Sequence, residues 1–222
     1  MIRIITDYKE KVCTRALYEE VFCNDGKGFV DYYYEDRCFD NVILVDEETN
    51  EAGEVSVISM VHLNPYRVSL ENEVVDAYYI FAVATKKEFR HQGRMAALLK
   101  AAKEYAQENK ICFFFLIPVD EAIYTPFGFE TVCELERDKT IPYDTIRRDY
   151  DVFCVRDDDY LRRLRKETEL AAKGETQELP AHSVIMAHIV NEAYFQTRYQ
   201  VKNDKEALAL LRAKRLLFRE EV

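Results

Sequence analysis

The stretch from Val74 to Val119 constrains the fold more than any other part of the chain. Val74 to Ala84 is rich in Val, Ile, Tyr and Phe, the residues that suit a pleated, half-buried strand. A charged segment, Lys86 to Gln92, then leads through Gly93 into a region where Met95, Leu98, Leu99, Ala102 and Tyr105 recur at helical spacing. That spacing predicts a helix over Met95–Asn109. Ile111 to Val119 is apolar throughout and β-compatible, as expected of a central strand buried on both faces. Strand, loop, helix and strand in this order make a βαβ unit.

The flanking sequence surrounds this unit with other elements. Ile2 to Ile5 reads as a strand, and Val12, Ala16, Leu17 and Val21 mark a helix within Tyr8–Phe22. The cluster Asn24-Asp25-Gly26-Lys27-Gly28 is a loop, and Phe29–Arg37 a shorter helix. Val42–Val45, Glu54–Leu63 and Val74–Ala84 follow as consecutive strands with short turns, the pattern of an antiparallel meander. Beyond the βαβ unit come a helical turn at Glu121–Tyr124, the break at Gly128 and a strand over Glu130–Leu135. From Asp138 the chain becomes highly charged, with a helix expected over Asp159–Ala172, a strand over His182–Val190 and a final helix over Asp204–Arg219. The reading is a mixed α/β fold with a domain over residues 1–137 and a C-terminal α/β extension over 138–222.

Composition narrows the function classes. Forty-one acidic against 31 basic residues give a formal charge of −10, which disfavours nonspecific binding to nucleic acid and favours cationic ligands. The six cysteines are scattered, with no CxxC and no His at ligand spacing, so no metal site is expected. No basic apolar leader precedes the domain, and the longest apolar run is about half of what a membrane helix requires. The expectation is a cytoplasmic protein with reduced thiols that neither spans nor binds a membrane. A homodimer is the base-rate expectation for oligomeric state.

The chemistry points to the loop Arg90-His91-Gln92-Gly93-Arg94-Met95. Unpaired amides at the start of the following helix converge with the positive end of its dipole, and Gly93 lets the backbone approach an anion. Arg90 and Arg94 add positive charge. This is a phosphate-binding arrangement.

The loop, with its strand and helix, resembles the acetyl-CoA signature of the GNAT N-acetyltransferase superfamily, in which Arg or Gln is followed after two residues by Gly, then one residue, then Gly or Ala. Arg90 and Gly93 fit; Met95 stands at the last small position, as in branches similar to the Eis-like acetyltransferases. Ile123-Tyr124-Thr125-Pro126-Phe127-Gly128-Phe129 resembles the family segment in which a Tyr protonates the departing thiolate. The resemblance covers roughly residues 1–135 and implies a GNAT-like acyl-CoA N-acyltransferase fold, with acetyl-CoA as the acetyl donor.

It also implies roles. Phe81, Ala82 and Val83 would line the acetyl and pantetheine arm at a strand bulge, with the Val83 amide polarising the thioester carbonyl. Arg90, His91, Gln92, Gly93, Arg94 and Met95 would hold the pyrophosphate. Tyr124 would be the general acid. For the base, position in the chain offers Asp76 first, with Glu73 beside it at the start of the central strand and His62 on the preceding strand; Asp120 could instead cap the Tyr-bearing turn. The acceptor would be a small-molecule or peptide amine. Two other readings keep the fold: a sensor that binds acyl-CoA without transfer, and an interaction protein with a vestigial domain.

Overall fold

A computed structural model describes residues 2–220 of the chain. Strand β1 (Ile2–Ile5) leads through a 3-10 stretch, Tyr8–Thr14, into α1 (Arg15–Val21) and α2 (Lys27–Glu35). Strands β2 (Val42–Thr49), β3 (Val55–Leu70) and β4 (Glu73–Thr85) precede the long helix α3 (Arg94–Glu108) and β5 (Phe113–Leu116). Helix α4 (Glu121–Tyr124), β6 (Glu130–Glu134), α5 (Tyr143–Asp149), β7 (Val152–Cys154) and α6 (Asp158–Ala172) follow. The chain continues with β8 (Val184–Ile189), α7 (Glu192–Tyr199), α8 (Asp204–Arg212) and β9 (Leu216–Leu217).

Several elements differ from the sequence expectation for local reasons. The first half of the expected helix at Tyr8–Phe22 winds as 3-10: Asp7 caps it at the Lys9 amide, and the Thr14 hydroxyl bonds back to the Lys11 carbonyl. Strand β3 continues past Leu63 and through Pro65 to Leu70. It meets β4 at Glu71–Asn72, where both residues have positive φ, 50° and 71°, the signature of a tight hairpin turn. The final helix stops at Arg212, and Leu216–Leu217 instead pair in parallel with β7.

The chain forms two compact units, and β3 and β4 each run from one into the other. The first comprises residues up to Asn64, Ile80–Tyr105 and Asp158–Glu178. In it β1, β2 and the first part of β3 pair antiparallel, with Ile5 opposite Ile43 and Val42 opposite Leu63. Helix α6 is tied to α2 and its flanks by Tyr32 to Glu167 (2.8 Å), by Arg163 to Asp40 (2.9 Å) and by the Gly28 amide to Glu175 (2.9 Å).

The second unit comprises Pro65–Tyr79, Ala106–Asp157 and the chain from Leu179. Here β4 runs parallel to β5, with Ala77, Tyr78 and Tyr79 opposite Phe113, Phe114 and Phe115. This is the parallel pair that the βαβ pattern requires. All four side chains of β5 are no more than 1% exposed, and each contributes about 1.5–3 kcal/mol of burial. Strand β8, from the charged C-terminal segment, lies antiparallel between β5 and β6, so the extension supplies a strand of the sheet itself. Among the described residues no helix is long and apolar enough to cross a membrane, and no cluster of three metal-ligating side chains occurs.

Candidate active site

The Arg90–Gly93 loop is built by its own backbone. A 3-10 turn at Lys87–Phe89 lifts the chain off β4, and the Arg90 Nε returns to the Thr85 carbonyl at 3.0 Å. The Gln92 amide donates to the Glu88 carbonyl at 3.0 Å. His91 and Gly93 then take left-handed backbones, with φ of 60° and 75°. Gly93 gives its carbonyl to the Ala97 amide, 3.0 Å away, and so opens α3. The amides of the first turn, Arg94, Met95 and Ala96, have no acceptor within the helix. A Cβ on Gly93 would meet no heavy atom within 4 Å, and His91, Gln92 and Gly93 are exposed. Gly93 therefore serves its φ rather than a tight fit.

The two arginines of the loop differ. Arg90 is exposed, whereas Arg94 donates to Asp46 at 2.8 Å and lies 6.0 Å from the Phe89 ring. Burial, the largest single influence, raises the Asp46 carboxyl, but the hydrogen bond and charge of Arg94 are among the opposing influences that together hold it below its ordinary range. Met95 is half-buried at the position where the GNAT pattern carries a small residue. Amides without acceptors in the helix, the helix dipole and an exposed guanidinium are the groups that suit an anion such as pyrophosphate.

Upstream of the loop, on β4, Ala82 has φ of +47°, a left-handed backbone that costs a non-glycine residue about 1–2 kcal/mol. Strain of that size interrupts an otherwise extended strand at the position expected for the bulge. Phe81 packs 4.9 Å from Tyr33 and 6.1 Å from Tyr18. Tyr33 is fully buried; its hydroxyl lies 2.9 Å from His62 Nδ1, donates to Asn64 at 3.1 Å and accepts from Asn41 at 3.2 Å. Lys11, also buried, reaches the Cys38 and Asn41 carbonyls. These contacts brace the ring of Phe81 from behind, a support that no sequence motif announced.

Of the catalytic candidates, Tyr124, Asp76 and Glu73 lie in the second unit and His62 in the first. Tyr124 ends α4, is 8% exposed, and sits edge-on to Phe129 at 5.8 Å. Burial pushes its hydroxyl up to about 12, so it stays protonated at neutral pH. Asp120 does cap α4, accepting from the Ala122 amide at 2.9 Å. Asp76 is exposed near the start of β4, and its carbonyl accepts from the Cys112 amide at 2.7 Å. Glu73 is engaged by Arg198 at 3.4 Å. His62 is enclosed, and burial, with the Lys11 charge, holds it down at about 3. It is a neutral member of the buried network and not a solvent-facing base.

A family model described as "Acetyltransferase (GNAT) domain" matches residues 14–132, just over half of the chain. Among solved structures, a probable N-acyltransferase from Enterococcus faecalis superposes with a TM-score of 0.51 at 18% identity, over 60% of this chain and 33% of that one. A GNAT-family protein from Desulfovibrio desulfuricans, described as a presumed acetyltransferase, gives 0.51 at 11% identity over 86% and 98%. Both share the fold. The chain spans about a third of the length of the Enterococcus, Kribbella flavida and Anabaena variabilis structures it resembles. No curated protein matches it.

Proposed function

We propose that this chain, which belongs to the GNAT acetyltransferase family, transfers the acetyl group of acetyl-CoA directly to a primary amine of a small-molecule or peptide acceptor. The observation that carries the reading is the exposed loop at Arg90–Gly93, with its left-handed residues leading into first-turn amides that have no acceptor within the helix. There the amides of Arg94 and Met95 and the Arg90 guanidinium would hold the pyrophosphate, with His91 and Gln92 flanking it. Phe81 and Ala82 would shape the channel for the pantetheine arm, and the Val83 amide would polarise the acetyl carbonyl.

In this reading the neutral amine adds to the carbonyl carbon, the C–N bond forms and the C–S bond breaks. The departing thiolate takes the Tyr124 proton, which solvent then restores. The proton lost by the amine goes to water or, through water, to Asp76. Much of the acceleration would come from holding amine and thioester together.

One observation favours a second reading, an acyl-CoA sensor without turnover: Glu73 and His62 are committed to other partners and Asp76 is exposed, so no base is preset. Thiol release measured over a panel of polyamines, aminoglycosides and lysine peptides separates the two. Acetyl-CoA-dependent release with one acceptor class is expected. Binding of acetyl-CoA with no release for any amine would leave the sensor.

A further inference from the structure

We propose that His188, in the C-terminal segment beyond the family match, is a positioning residue for Tyr124; the proposal rests on the assignment of Tyr124 as general acid. The geometry lies within one unit of the fold. Strand β8 pairs with both β5 and β6, bringing His188 opposite Phe114 one step beyond the Ala187–Glu130 pair. The buried imidazole therefore faces the end of the Tyr124 turn, where Gly128 and Phe129 lead into β6.

Two contacts join His188 to that turn. Its Nδ1 lies 3.0 Å from the Gly128 carbonyl, so the Nδ1–H tautomer donates to it. Its ring packs 5.2 Å from Phe129, and Phe129 in turn meets the edge of Tyr124 at 5.8 Å. Gly128 itself has φ of 80°, and a Cβ there would come within 3.0 Å of His188 Nδ1. The Gly128 amide closes the turn on the Thr125 carbonyl at 3.0 Å. Moving the imidazole thus moves the Gly128 peptide, the Phe129 ring and, through them, the phenol of Tyr124. A proton donor misplaced by about an ångström loses much of its effect, while donor-substrate binding is untouched.

The test uses His188→Phe, which keeps a ring but loses the donor, and His188→Asn, whose amide can replace it. Each is made in the wild-type protein and in Tyr124→Phe. For the acceptor that gives thiol release, His188→Phe should lower kcat about tenfold with the acetyl-CoA Kd changed less than about twofold, and His188→Asn should recover most of it. In the Tyr124→Phe background, His188→Phe should cost less than about twofold, because the group it positions is gone. An equal loss in both backgrounds, or no loss in either, overturns the proposal. Carbon-13 tyrosine spectra, with Tyr124 identified by its disappearance in Tyr124→Phe, decide the matter independently of turnover. The Tyr124 signal should shift in His188→Phe and return in His188→Asn; an unmoved signal overturns the positioning role. If the wild type acetylates nothing, the functional reading fails while the spectra still answer for His188.

Discussion

Two turns carry the proposed chemistry, and they are held in opposite ways. The Arg90–Gly93 loop is bonded by its immediate neighbours, Thr85, Glu88 and Ala97, and its glycine faces open space. The Tyr124–Phe129 turn is held by a histidine 60 residues away, and a Cβ on its glycine would crowd that ring at 3.0 Å. A site that must admit a large anionic substrate benefits from amides left free and space left empty. A proton donor needs its position fixed, and a strand from elsewhere in the chain can fix it better than a four-residue helix can.

The largest effect expected from this contrast is on turnover. Tyr124→Phe should reduce kcat about 100-fold and leave acetyl-CoA affinity within about twofold, by steady-state kinetics and calorimetry. Comparable losses in both quantities would mean that the turn shapes the donor site as well. In the proposed role Tyr124 acts in its protonated form, and burial holds it up at about 12, so the rate should show no acidic-group falling limb below about pH 11. A limb near pH 8 would assign the acid elsewhere.

Stability tests divide the two glycines. Gly128→Ala combines a left-handed φ with a contact on His188 and should cost about 2–3 kcal/mol in denaturant unfolding. Gly93→Ala carries the φ cost alone, about 1 kcal/mol. Equal costs would remove the distinction between a clamped and an open turn.

The buried network behind Phe81 predicts an acid sensitivity of its own. His62 is held at about 3 when folded and titrates near 6.5 when unfolded. Above pH 6.5 both states are neutral and the group contributes nothing. Below it the unfolded chain takes up the proton first, so stability should fall by up to about 1.4 kcal/mol per pH unit towards pH 3. His62→Gln should flatten that slope; an unchanged slope would place the acid sensitivity in other groups.

How much of this was legible in the sequence follows the same divide. The βαβ unit, the Arg90–Gly93 loop and the Asp120 cap depend on residues within a few positions of one another, and periodicity and turn chemistry report them. The placement of β8 between β5 and β6, the short strands β7 and β9, and the contact of His188 with Gly128 depend on pairings between distant segments, which leave no local trace. The final helix illustrates the point. Leu216 and Leu217 continue a helical apolar pattern, yet they leave it to pair with β7, where Leu217 is buried against Ile146 and Phe153. Tyrosine abundance became interpretable only in the fold, where Tyr18, Tyr33 and Tyr34 pack together and the first two back Phe81.

The central claim is that the Arg90–Gly93 loop holds the pyrophosphate of acetyl-CoA. Its most direct test is calorimetric titration of the chain with acetyl-CoA beside an Arg90→Glu/Gly93→Asp variant, whose two carboxylates repel that group at exposed positions. The account predicts binding in about the micromolar range for the wild type and a loss of at least about 100-fold in the variant. No binding by the wild type, or equal affinity in the two proteins, would contradict it.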